Sequence, residues 1–207
     1  MFSVTRHART RSHLLAGGAL LAATILLTGC AASTQPETSP GNITAAEAQL
    51  LQAHDLSGLD AEAIIDRLDQ TTVASRPTDL SAQIRSEELM LSDADGREAS
   101  LPMPAGRTYV AFAPYVQQTH ECTYHAPVGC IGEMANAPVH VTVVDQDNGT
   151  VYLDEDTKTY DNGFVGVWLP REITASVTIT AGDQHATTTV STADPNAATC
   201  ITTMRLA

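Results

Sequence analysis

The chain has 207 residues, with 11 lysines and arginines against 24 aspartates and glutamates, and only 4% of it is aromatic. A formal net charge of −13 argues against nucleic acid and anionic lipid head groups as partners, because the electrostatic term would oppose both. The length suits one domain or two small ones, and the shortage of aromatic residues leaves a core to be built from Ala, Val, Leu and Ile.

Residues 1–29 read as a targeting segment. Arg6, Arg9 and Arg11 make a basic start, and an apolar run from Leu14 to Leu27 follows. At about 14 residues that run has the length of a signal-peptide core and is short for a membrane span. It ends in Leu27-Thr28-Gly29-Cys30, which matches the bacterial lipobox, so Cys30 is read as a lipid anchor that places the mature chain on the outer face of the cell membrane. Removing 1–29 takes away three arginines and no acid, leaving 8 basic residues against 24 acidic ones, a net of −16. Residues 30–42 are small and polar, with Pro36 and Pro40, and form a flexible tether.

Residues 43–105 predict a small helical part followed by a hairpin. Thr44-Ala45-Ala46-Glu47 is a capping-box pattern, and Asp60 precedes AEAIIDRLDQ, where Ile64, Ile65 and Leu68 share one helical face. Leu80 to Ser92 then alternates apolar and polar residues as one strand, Asp95-Gly96 turns, and Arg97 to Met103 returns.

Residues 106–207 predict a β-rich domain carrying the candidate metal ligands. Arg107 to Val116 is one strand. Val139 to Val144, Thr150 to Leu153, Phe164 to Leu169, Ile173 to Thr180, Ala186 to Val190 and Thr199 to Leu206 follow, separated by turn signals such as Asn148-Gly149 and Asn162-Gly163. The fold class is therefore α+β, a short N-terminal helical segment followed by a mainly antiparallel, sandwich-like β-domain. Thr159 to Pro170 resembles the hairpin of transthyretin-like β-sandwich modules.

The chemistry gathers in HECTYHAPVGCIGEM, His120 to Met134, with a further cysteine at Cys200. Pro127, Gly129 and Gly132 put Cys122 and Cys130 on a loop. Their spacing allows a disulfide, the default for an extracytoplasmic β-domain, or a metal clamp. Once Cys30 is acylated three cysteines remain, so at least one is free, metal-bound or shared with another molecule. His120, His125, Glu121, Met134 and Met204 enrich the surroundings in soft and borderline ligands, a set that suits Cu(I) better than calcium or magnesium. Strand alternation would put Cys200, Thr202 and Met204 on one face. Taken singly, Cys200 reads as a small core residue and the two methionines as core filler.

The block Thr119 to Met134, with its Cys-Thr-x-His-x-x-x-x-Cys core and the lone downstream Cys200, resembles the CueP family of copper-binding proteins of the bacterial cell envelope. The resemblance implies that Cys122, Cys130 and Cys200 hold Cu(I), with His125 and His120 as additional ligand candidates. It also implies copper resistance, reduction of Cu(II) by the thiols, supply of copper to an extracytoplasmic Cu,Zn superoxide dismutase, and dimerisation through the N-terminal part. An enzyme is not expected. Two rivals are an adhesion or accessory β-sandwich with a plain Cys122 to Cys130 disulfide, and a thiol oxidoreductase, which lacks its usual C-x-x-C pair.

Other features carry less. Asp145 to Gly149 imitates a calcium loop, but the glycine comes early and Asp156 stands where a glutamate should; a hairpin turn fits better. Asp154 to Asp156 reads as a solvated tip and Trp168 as a sandwich-core aromatic. There is no phosphate-binding glycine loop, no serine-nucleophile elbow and no HExxH.

Overall fold

The computed structural model describes residues 43–207; the predicted signal peptide, Cys30 and the tether lie outside the described residues. Helix α1, Ala45–Ala53, opens on the expected capping box, the Thr44 hydroxyl accepting from the Glu47 amide and the Glu47 carboxylate from the Thr44 amide. Helix α2, Ala61–Gln70, is capped by Asp60 and buries Ile64, Ile65 and Leu68. It also buries Asp69. Among the described residues no helix is long and apolar enough to cross a membrane.

The single strand expected over Leu80 to Ser92 is two, β1 (Leu80–Ile84) and β2 (Glu88–Asp93), paired antiparallel from Leu80↔Asp93 to Ile84↔Leu89. The Arg85 amide closes the turn on the Glu88 carbonyl at 2.9 Å. Strand β3, Glu98–Pro102, completes a three-stranded meander, on which the helices lie.

The remaining strands build two more sheets. The first has the order β10-β4-β7, where β4 is Arg107–Phe112, β7 is Val165–Pro170 and β10 is Cys200–Ile201. The second has the order β6-β5-β8-β9, with β5 Pro138–Asp145, β6 Val151–Lys158, β8 Thr174–Ala181 and β9 Gln184–Ser191. Among the described residues the strands pair antiparallel, except that β10 runs parallel to β4.

Strand β4 divides the interior. Its side chains alternate, so Tyr109, Ala111 and Ala113 face a core shared with the helices and the meander, while Val110 and Phe112 face the sandwich core made with β5, β8 and β9. Because Cys200 pairs with Ala111 in parallel register, its sulfur falls on the helix-facing side.

Three local expectations are corrected. The last strand covers only Cys200–Ile201, after which the chain makes a single bridge, Tyr115↔Arg205, so Cys200 and Met204 enter different cores. Asp154 and Asp156 sit within β6 opposite Thr142 and His140, and both carboxylates bond the His140 ring, at 2.7 and 2.9 Å. Strand β7 follows the Tyr160 to Gly163 turn but pairs with β4, not with a sequence neighbour. Trp168 on it is half-buried, edge-on to Tyr109, and donates to Asp66 at 3.0 Å.

Candidate metal centre

The Cys122 to Cys130 loop is held from three sides. The His125 carbonyl accepts from the Ile84 amide of β1 at 2.8 Å, and the His125 amide donates to the Thr199 hydroxyl at 3.0 Å. The Thr199 and Cys200 amides both reach the Thr123 carbonyl, at 2.9 and 3.2 Å. Beyond Cys130 the Gly132 amide donates to the Asn162 carbonyl at 2.6 Å. There the two backbones touch: a Cβ on Gly163, whose φ is +80°, would lie 2.6 Å from the Gly132 carbonyl oxygen. One small loop is thereby fixed to the meander, to the last strand and to the turn before β7.

These ties bring all three predicted cysteines together. Cys122 and Cys200 form a disulfide and Cys130 is the remaining free thiol of the described residues. The pairing that sequence spacing favoured, Cys122 with Cys130, is absent, although those sulfurs lie only 3.6 Å apart. The reason is tertiary. Strand β10 carries Cys200 against the loop from β4, a contact between positions 78 residues apart that no local pattern records.

The two predicted histidines flank the sulfurs differently. His125 is fully buried, and its Nδ1 lies 3.9 Å from Cys200 Sγ. His120 is half-buried on the outer side. Their rings lie on the same buried phenyl group, Phe164, with centroids 4.6 Å away for His125 and 6.2 Å for His120. The donor atoms form two overlapping sets, each within 4.8 Å: His120, Cys122 and Cys130 outside, and His125, Cys130 and Cys200 inside.

Behind His125 stands a polar network that sequence reasoning missed. The Asp69 carboxylate bonds His125 Nε2 at 2.9 Å, accepts from the Tyr109 hydroxyl at 2.6 Å and accepts from the Asn162 side-chain amide at 2.6 Å. A visible signal existed, since Asp69 stands four residues after Ile65 and beside Leu68 on the apolar face of α2. Tyr109 reaches Asp69 across Gly166, where any Cβ would collide with the phenol. Arg76 donates from Nη1 to the Cys130 carbonyl at 2.9 Å, while its buried Nε and Nη2 have no partner.

The electrostatics follow from this arrangement. Burial would push the His125 ring toward neutrality, but the Asp69 carboxylate outweighs it and raises the His125 pKa to about 9. Burial likewise opposes ionisation of Cys130, yet hydrogen bonding and charge from His125, with the Ala126 amide, bring its thiol below the ordinary value. Asp69 is lowered despite its burial, by the charge and hydrogen bond of His125 and the donors Tyr109 and Asn162.

The donor chemistry suits a soft, thiophilic ion. Three sulfurs and two imidazoles converge, and no carboxylate joins either donor set. Asp69 is consumed by its three partners, and Glu133, close in sequence, accepts from the amides of Val116, Gln117 and Gln118. Glu121 is exposed, Met204 lies in the other core, and Met134 packs against that same core. Hard cations that need several carboxylate oxygens find none in either donor set.

Comparison with known proteins agrees with this geometry. A family model described as periplasmic copper-binding protein CueP matches residues 63–205. A solved structure named Crystal Structure of S.CueP aligns at 38% sequence identity with a TM-score of 0.73, covering 79% of this chain and 99% of that chain. No curated protein matches. With that family model matching well over half of its length and that structure matching at 38% identity, the chain belongs to the CueP family.

Proposed function

We propose that this protein is a lipid-anchored, extracytoplasmic copper-binding protein in which Cys122, Cys130 and Cys200, once reduced, hold one Cu(I). The observation that carries the reading is the convergence of the three sulfurs at a buried point with no carboxylate oxygen in either donor set. Trigonal thiolate coordination is a geometry Cu(I) accepts. Three thiolates around one Cu(I) carry two net negative charges, and the Arg76 guanidinium, bonded to the Cys130 carbonyl, supplies compensating positive charge beside them. His125, oriented by Asp69, stands beside the thiolates as a hydrogen-bond donor or an additional ligand.

The disulfide gives the same sulfurs a redox role. Oxidation of the Cys122 and Cys200 thiolates to the disulfide releases two electrons, enough to convert two Cu(II) to two Cu(I). A thiol reductant must then reopen the bond before Cu(I) is held by all three sulfurs. Sequestration in this form limits copper toxicity. Copper is handed on to an extracytoplasmic acceptor such as a Cu,Zn superoxide dismutase, which activation of the apo-dismutase would measure.

The Cys122 to Cys200 disulfide is the one observation that favours the rival, an accessory β-module stapled by a bridge without metal. A staple alone has no use for a third sulfur 3.6 Å away or for the buried Asp69 and His125 behind it. Metal analysis and X-ray absorption of anaerobically purified, reduced protein decide. The copper reading expects one copper with three sulfur neighbours, and loss of stoichiometric binding under chelator competition in Cys200→Ser. Stoichiometric retention in that variant, or a reduced protein that takes up no copper, defeats it.

A further inference from the structure

Two of the three sulfurs lie deep, and only Cys122 is partly open to solvent. Cys200 is 2% exposed, His125 0% and Cys130 9%, so copper needs a way in and out. Of the donor residues, Cys122 and His120 are the half-buried ones. There a surface recess of about 200 Å³ is lined by Thr119, His120, Ile131 and Gly132 among others. His120 is the one residue that belongs both to this recess and to a donor set, since its ring nitrogen, Cys122 Sγ and Cys130 Sγ all lie within 4.8 Å of one another.

Resting on the three-sulfur reading, we infer that His120, Cys122 and Cys130 form a second, outer copper position through which the ion enters and leaves the buried site. The outer position and the resting site share Cys122 and Cys130. Passage inward exchanges a single ligand: the bond from Cu(I) to the His120 nitrogen breaks, a bond to the Cys200 thiolate forms, and the imidazole departs neutral. No electron moves, and copper is three-coordinate before and after the exchange. The two shared sulfurs hold the ion while the third ligand changes. His120 thus governs the rate of exchange, while the three sulfurs set the affinity.

The experiment uses the reduced, copper-loaded full chain, with bicinchoninate as the acceptor and stopped-flow absorbance as the readout. His120→Ala is half-exposed and should fold. It is expected to slow both loading and release about tenfold, with the affinity changed less than about threefold and three sulfurs still seen by X-ray absorption. In a separate sample Cys200→Ser, given copper without competing chelator, should hold the ion outside with two sulfurs and one nitrogen. That nitrogen should vanish in His120→Ala/Cys200→Ser. Unchanged exchange rates, faster release matched by an equal loss of affinity, or a Cys200→Ser spectrum without nitrogen would each overturn the outer position. Failure of the three-sulfur reading shows elsewhere, as fewer than three sulfurs around copper in the unmodified chain.

Discussion

Asp69 Oδ1 and His125 Nε2 lie 2.9 Å apart with neither side chain exposed to solvent. The bond fixes which imidazole nitrogen faces the sulfurs, and it makes a helix residue part of the candidate site. Asp69→Asn should lower Cu(I) affinity by roughly 10–100-fold, the usual cost of losing an orienting partner behind a metal site. It should also destabilise the copper-free chain by about 3 kcal/mol, because a buried pair loses one member. Chelator competition and denaturant unfolding check the two effects.

The same pair sets a pH dependence. His125 is raised from 6.5 to about 9, so its contribution to stability is fully present below pH 6.5 and is lost as pH climbs toward 9. Asp69 is lowered from 3.8, so its share is present above pH 3.8 and is lost as pH falls through the folded value. Copper-free, disulfide-bonded protein should therefore unfold about 4 °C or more lower at pH 9.5 than at pH 6. His125→Gln should flatten that slope. A midpoint that rises between pH 6.5 and 9 would count against an ionised pair.

Peptide mapping of air-purified protein under non-reducing conditions should find Cys122 joined to Cys200, with any alkylation confined to Cys130 among the three site cysteines. After reduction all three should label. A Cys122 to Cys130 link would contradict the arrangement described above.

The disulfide closes a loop between positions 78 apart, which in a chain-entropy account stabilises the fold by about 4 kcal/mol. Reducing the copper-free chain should lower its thermal midpoint by roughly 10 °C. Adding Cu(I) should restore most of that, because the ion ties together the same loop and strand and binds only the folded state. Calorimetry of the oxidised, reduced and reduced plus Cu(I) forms tests the exchange of one cross-link for the other.

Gly166→Ala should be more harmful than a strand alanine usually is. The new methyl would occupy the position of the Tyr109 phenol, forcing Tyr109 off Asp69 at a cost of about 3 kcal/mol. Tyr109→Phe/Gly166→Ala should recover little, since most of the ring still lies across the glycine. Unfolding midpoints of the three proteins make the comparison.

Much of this architecture was legible in the sequence. The Thr44 capping box, the apolar face of α2 and most strand positions follow from local periodicity, which the structure keeps. The break in the meander was also written there. Leu80, Ala82 and Ile84 occupy even positions whereas Leu89 and Leu91 occupy odd ones, and that slip of phase marks the turn that alternation alone ran through. The three cysteines and both histidines were legible as a group. Their arrangement was not, because the Cys122 to Cys200 pairing and the place of Asp69 depend on which strands and helices meet. Spacing ranks only near neighbours, so it offered Cys130 as the partner of Cys122. A carboxylate in the last turn of a short helix reads as solvated unless its helical phase is followed.

Strand β4 has a consequence for how such a protein can vary. Tyr109 and Ala111 look toward the thiols, Val110 and Phe112 toward the sandwich interior, so a six-residue word is spelled in two interleaved alphabets. Substitutions at one parity bear on the core that holds the thiols; substitutions at the other adjust how firmly the sandwich holds. Drift in the scaffold can therefore accumulate on adjacent letters without reaching the thiols.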